Sequence, residues 1–184
     1  LTDADLQDFL TKNAEKFKTP EKIALAWFKL EHTAQPAGAA PTAEELDTFY
    51  RKNLDRYMDK DNAPLPYEQV KERVKTDAIH QKASKALYEK AADTLFQNIK
   101  SGDLALVAGK LGAKIQDSPL FSATTAPAAL TGEAALIKKA FELKQGELGG
   151  PIETAKGVYI FKVKEKKAAE LPPLTQVRAT VEQQ

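Results

Sequence analysis

Two stretches of the chain repeat one another at a distance of forty residues: TDADLQDFLTKNAEKF, Thr2 to Phe17, returns as TAEELDTFYRKNLDRY, Thr42 to Tyr57. Each copy opens on a threonine followed three positions later by an acid, Asp5 or Glu45. That is the capping-box arrangement, in which the two side chains satisfy orphan amide donors at a helix start. Apolar residues follow at helical spacing, Leu6, Phe9, Leu10 and Phe17 in the first copy and Leu46, Phe49, Tyr50, Leu54 and Tyr57 in the second. Two copies are too few for a solenoid, and the tetratricopeptide pattern is absent. The rest of the chain must therefore build its own core, and 184 residues are enough to bury roughly 70% of the unfolded surface.

After the first copy comes TPEKIALAWFKLEH, in which Pro20 stops the helix. Ile23 to Leu30 is apolar on both alternating faces, so Lys22 to Leu30 reads as a central strand covered on both sides. Thr33 to Pro41 and Met58 to Pro66 read as linkers by their Pro, Gly, Ala and Asp content. Tyr67 to about Lys100 carries Val70, Val74, Ala78, Leu87, Ala91 and Leu95 without Pro or Gly, which predicts one long amphipathic helix or two with a bend. A short helix over Leu104 to Leu111 ends at Gly112, Ala113 to Ser122 alternates like an edge strand, and Glu133 to Phe141 reads as helix. GGPIETAKGVYIFKV, Gly149 to Val163, predicts a hairpin that closes the sheet. The last piece, LPPLTQVRATVEQQ, echoes PLPYEQVKERVKTD at Pro64 to Asp77.

Several functions are disfavoured by residue type. With 27 basic and 26 acidic side chains the net charge is +1, which gives no field to attract nucleic acid. No cysteine is present to build a disulfide scaffold, a thiolate metal site or a thiol nucleophile. No run reaches the ~18 apolar residues of a membrane span. The opening LTDADLQDF lacks the basic and apolar character of a signal peptide, so a mature or excised piece of a longer protein is expected. His32 and His80 have no helical partner in an HExxH-like arrangement and read as structural or solvated. DKDN at Asp59 to Asn62 resembles the start of a calcium loop, but Ala63 and Pro64 stand where a ligand and the bend glycine are needed, so a solvated turn is expected. Ser122, Thr124 and Thr125 have no nearby histidine to activate them. No catalytic residue, metal or cofactor is expected.

AFELKQGELGGPIETAKGVYIFKVKE, Ala140 to Glu165, is similar to the end of a parvulin-type peptidyl-prolyl isomerase domain. The capped repeats, TPEKIALAWFKL and the LPPLTQVR tail resemble the PpiD/SurA-like family of bacterial periplasmic chaperones. The resemblance implies an α+β fold, a capped helical chaperone-type segment (1–57) joined to a small antiparallel-sheet parvulin-like domain with a long helix (58–184), with strand 22–30 joining the sheet. Parvulin active sites carry one histidine in the first strand and one in the last, with a Cys or Asp between them; here the last-strand position is Tyr159, and the first strand around Ala26 and Trp27 has none. In the chaperone family the chain after the second capped repeat enters a catalytic domain, whereas here Tyr57 leads almost at once to the long helix.

The function so implied is an ATP-independent, non-enzymatic chaperone of the periplasm that binds unfolded or nascent envelope proteins. The resemblance also allows an inner-membrane anchor outside this segment. Leu120, Phe121, Leu136, Phe141 and Tyr159 are the expected peptide-binding residues. Two alternatives stand beside this reading: a prolyl isomerase of low activity, and a structural adaptor docking one dedicated partner.

Overall fold

The computed structural model describes residues 2–32 and 40–182, so all of the 33–41 linker but Ala40 and Pro41 lies outside the described residues. The helices are α1 (Asp3–Lys12), α2 (Ala14–Phe17), α3 (Ala43–Lys52), α4 (Tyr67–Asn98), α5 (Leu104–Leu111), α6 (Ala134–Glu142) and α7 (Leu174–Glu182). The strands are β1 (Lys22–Leu30), β2 (Gln116–Asp117), β3 (Phe121–Ser122), β4 (Leu148–Thr154) and β5 (Gly157–Lys167). Helix and antiparallel sheet are thus mixed as an α+β fold, in the order β2-β1-β5-β4 with β3 also paired to β1.

Both expected capping boxes form. Thr2 and Asp5, and likewise Thr42 and Glu45, exchange side-chain to backbone hydrogen bonds across the first turns of α1 and α3. Gly112 ends α5 in the left-handed conformation (φ 67°) that a side chain would strain. The region expected as one edge strand, 113–122, instead forms two two-residue pairings with β1, because Pro119 lies between them and cannot donate to a ladder.

Helix α4 is a single unbroken helix, and it serves two cores. Val70, Val74 and Ala78 pack against Leu46, Phe49 and Tyr57. Ala91, Leu95 and the half-buried Leu87 pack on the sheet. From Ala78 to Leu87 is nine residues, and at about 100° per residue that turns the apolar stripe by roughly 180°. The front of α4 therefore faces α3, and the back of its second half faces the sheet. A division of the chain after Tyr57 cuts the first of these cores, since Tyr57 is fully buried against α4 and its hydroxyl donates to Asp77 (2.7 Å).

Strands β1 and β5 pair along their whole length, and their alternation separates two faces. One face buries Ile23, Leu25, Trp27, Tyr159, Phe161 and Val163 beneath α6. The other buries Ala26, Phe28, Val158 and Ile160 beneath α4 and α5. Covering on both sides explains why Ile23 to Phe28 is an unbroken apolar run. At the far end of the ladder Gly157 has φ 140°, and an added Cβ would lie 2.3 Å from the Leu30 carbonyl oxygen; the start of β5 lies this close to the end of β1 only because this residue has no side chain.

Candidate peptide-binding site

The α6 face holds the positions at which the parvulin resemblance leads one to look for chemistry. Trp27 on β1 and Tyr159 on β5 are diagonal neighbours, since Trp27 pairs with Phe161 and Tyr159 with Lys29. Their rings touch, with centroids 5.6 Å apart and planes at 42°. Both are buried. Two hydrogen-bonding imidazoles would offer basic nitrogens and an exchangeable proton there; the two aromatic side chains offer an indole N–H and a phenol, and no base.

Burial first, and the nearby Glu133 carboxylate second, push the Tyr159 hydroxyl above its ordinary range, so it stays protonated at neutral pH. Glu133 is itself buried ahead of α6, and its charge is met by Lys156 at 3.1 Å.

Of the five residues expected to line a peptide groove, Leu136, Phe121 and Tyr159 are closed inside the core, at 0, 2 and 1% exposure. They form the layer under the surface. Their large apolar side chains find a better partner in the protein than in water, which is the ordinary fate of such residues on a covered sheet. Leu120 is half-buried just before β3. Phe141 is the one of the five that reaches an open concavity, while one edge of its ring packs on Phe121 (centroids 6.2 Å, 83°).

That concavity, about 780 Å³, runs between α6 and the loop that precedes it. Ile137 and Phe141, one helical turn apart, supply its apolar wall, and Ala123, Ala126, Gly132 and Ala134 give it depth because their side chains are small. Lys138 and Glu142 place one charge of each sign at its edge. The loop is pinned by the Ser122 amide donating to Thr125 Oγ1 (2.9 Å) and by the Lys156 ammonium donating to the Thr131 carbonyl (2.8 Å). Ile137 was not expected from sequence; its position four residues before Phe141 was the available signal.

A larger hollow of about 960 Å³ lies between α3, α4 and the hairpin end, lined by charges of both signs and by His80. His32 is tied on both nitrogens, to the Thr154 carbonyl (3.1 Å) and the Ser84 hydroxyl (3.0 Å), and so joins the hairpin to α4. Among the described residues no group of three or more His, Asp or Glu side chains could hold a metal ion. No described helix is long and apolar enough to cross a membrane.

A β1–β5 centre with α6 on one face, α4 and α5 on the other, and the β4–β5 hairpin as its edge defines a parvulin-like domain. The profile of the PPIC-type PPIASE domain family, the peptidyl-prolyl isomerases of parvulin type, matches residues 41–179, and the chain belongs to that family. No curated protein is similar enough to match.

Proposed function

We propose that this chain is an ATP-independent chaperone that holds apolar segments of unfolded polypeptides in the groove beside Ile137 and Phe141, without catalysing prolyl isomerisation. The observation that supports the reading is the Trp27–Tyr159 contact: rings stand in the first strand and at the last-strand position where the parvulin resemblance would place histidines. Family membership favours an isomerase; the filled trough argues against one.

The energetics suit a weak, reversible holder. Burying one or two large apolar side chains of a client is worth about 1.5–3 kcal/mol each. The cost of ordering the client offsets much of this, so a single apolar segment is held with a Kd of roughly 1 mM or weaker. Release at such affinities needs no ATP, and nothing in the groove calls for a cofactor. Periplasmic location and envelope-protein clients belong to this proposal through the resemblance to the PpiD/SurA-like chaperones.

The test is suppression of aggregation of several chemically denatured proteins with the chain in large molar excess. The wild-type chain should suppress all of them, and Ile137→Asp, which puts a charge in the groove wall, should weaken suppression about tenfold while thermal unfolding stays that of a folded protein. Undiminished suppression by Ile137→Asp would move the site elsewhere. Failure of the wild-type chain on every client would leave the adaptor reading.

A further inference from the structure

The sequence repeat extends into three dimensions. Thr2, Asp5, Phe9, Asn13 and Thr19 stand forty positions before Thr42, Glu45, Phe49, Asn53 and Asp59. Glu170, Pro173, Gln176, Val177 and Val181 stand 107 positions after Ala63, Pro66, Gln69, Val70 and Val74. Helix α1 packs on α7 through Leu6, Leu10 and Val181, as α3 packs on the start of α4 through Leu46, Phe49 and Val74.

Several hydrogen bonds correspond. Asn13 Nδ2 donates to the Phe9 carbonyl (2.9 Å), and Asn53 Nδ2 to the Phe49 carbonyl (2.8 Å). The Gln176 amide donates to the Pro173 carbonyl, and the Gln69 amide to the Pro66 carbonyl, both at 2.9 Å. The Thr19 amide donates to the Glu170 carbonyl and the Asp59 amide to the Ala63 carbonyl, both at 2.8 Å. In return the Glu170 amide donates to Thr19 Oγ1 (3.2 Å) and the Ala63 amide to Asp59 Oδ1 (2.9 Å). Two bonds of the second pair have no counterpart for a reason plain in the sequence: the Leu65 amide donates to the Tyr57 carbonyl (2.8 Å) where the first pair has Pro172, which has no N–H to give, and the Tyr50 hydroxyl donates to the Leu65 carbonyl (2.6 Å) where the first pair has Leu10.

We infer that α1–α7 and α3–α4 are two copies of one helix-pair clasp, that the whole sheet domain, residues 20–169, is carried in the turn of the first, and that Lys60–Asn62 is the same position closed by three residues in the second. The two ends of the carried domain lie side by side, because Lys22 of β1 is paired with Lys167 of β5. A domain that leaves and returns at one point can replace a turn without opening the clasp that holds it. The two clasps are therefore interchangeable parts, and the first is a handle for the binding domain.

Cognate exchange in the full chain tests this, read by amide hydrogen exchange. Thr19→Ala should speed exchange at Glu170 about fivefold, the worth of one ordinary hydrogen bond. Thr19→Asp, which installs the acceptor of the other clasp, should restore it. Asp59→Ala and Asp59→Thr should behave likewise at Ala63. Replacing residues 2–19 by the sequence of 42–59 should keep α7 amide protection within about twofold. Exchange in Thr19→Asp as fast as in Thr19→Ala, or an α7 left unprotected in the chimaera, would overturn the inference.

Discussion

On the face covered by α4 and α5, the sheet sets Ala26, Phe28, Val158 and Ile160 against Ala91, Leu95, Leu104 and Val107, a closed and mostly aliphatic layer. On the face covered by α6 it sets Trp27, Tyr159 and Phe161 against Leu130, Leu136 and Ala140, and a groove opens beyond that layer. Each of the two layers keeps the sheet dry. What differs is the outer side of the cover: α6 is short and flanked by a pinned loop, so its second flank, Ile137 and Phe141, is left beside a hollow instead of another element. In the proposed reading, a family scaffold packs rings into its trough and presents apolar surface one layer further out.

The sharpest break of this comparison is Phe28→Ala on the aliphatic face. It should cost about 3–5 kcal/mol in denaturant unfolding, because the side chain is fully buried. Client binding at temperatures where the variant is folded should be unchanged. Impaired binding would mean that the two faces are not separate in function.

Alkaline pH tests the buried tyrosines of the helix clasp and of the sheet together. Burial, and then the hydrogen bond to Asp77, push Tyr57 up to about 12. In the unfolded chain a tyrosine releases its proton near pH 10, so above that value the unfolded state binds fewer protons and stability falls until the folded value is passed. A loss on the order of 2 kcal/mol between pH 10 and 12 is expected, shallower in Tyr57→Phe. Tyr159 is raised in the same direction, by burial and then Glu133. A curve flat to pH 12 would contradict both environments.

Smaller is the coupling within the aromatic pair. A double-mutant cycle of Trp27→Leu and Tyr159→Leu should give about 0.5–1.5 kcal/mol, the usual worth of ring contact beyond area. Zero coupling would reduce the pair to two independent core residues. Smallest is the ion pair Lys164–Asp117 (2.9 Å), which ties β5 to β2 at the surface. Lys164→Ala should change stability by about 0–1 kcal/mol and less still in high salt.

Local chemistry made much of this fold legible. A threonine with an acid three residues on, a glycine after Leu111 and a proline after Thr19 each carry their structural meaning within a turn of chain, and each is found in the expected role. The doubly buried β1 was legible because covering both faces leaves no polar alternation. The site was less so. Trp27 and Tyr159 are separated by most of the chain, and only the β1–β5 register makes them neighbours. Leu136 and Phe141 both lie on α6, yet only the placement of the sheet sends one inward and the other to the groove. The 58–66 segment, rich in Pro and Asp, reads as a linker, whereas Met58 bridges to Pro64 and Asp59 holds the turn closed.

The most direct measurement is the proline-limited refolding rate of a test protein with catalytic amounts of this chain. A slow phase of about 10–100 s is expected to keep its rate at every concentration of the chain. Acceleration of that phase, abolished by Tyr159→Ala, would show a working isomerase site where two rings are packed and would contradict the account.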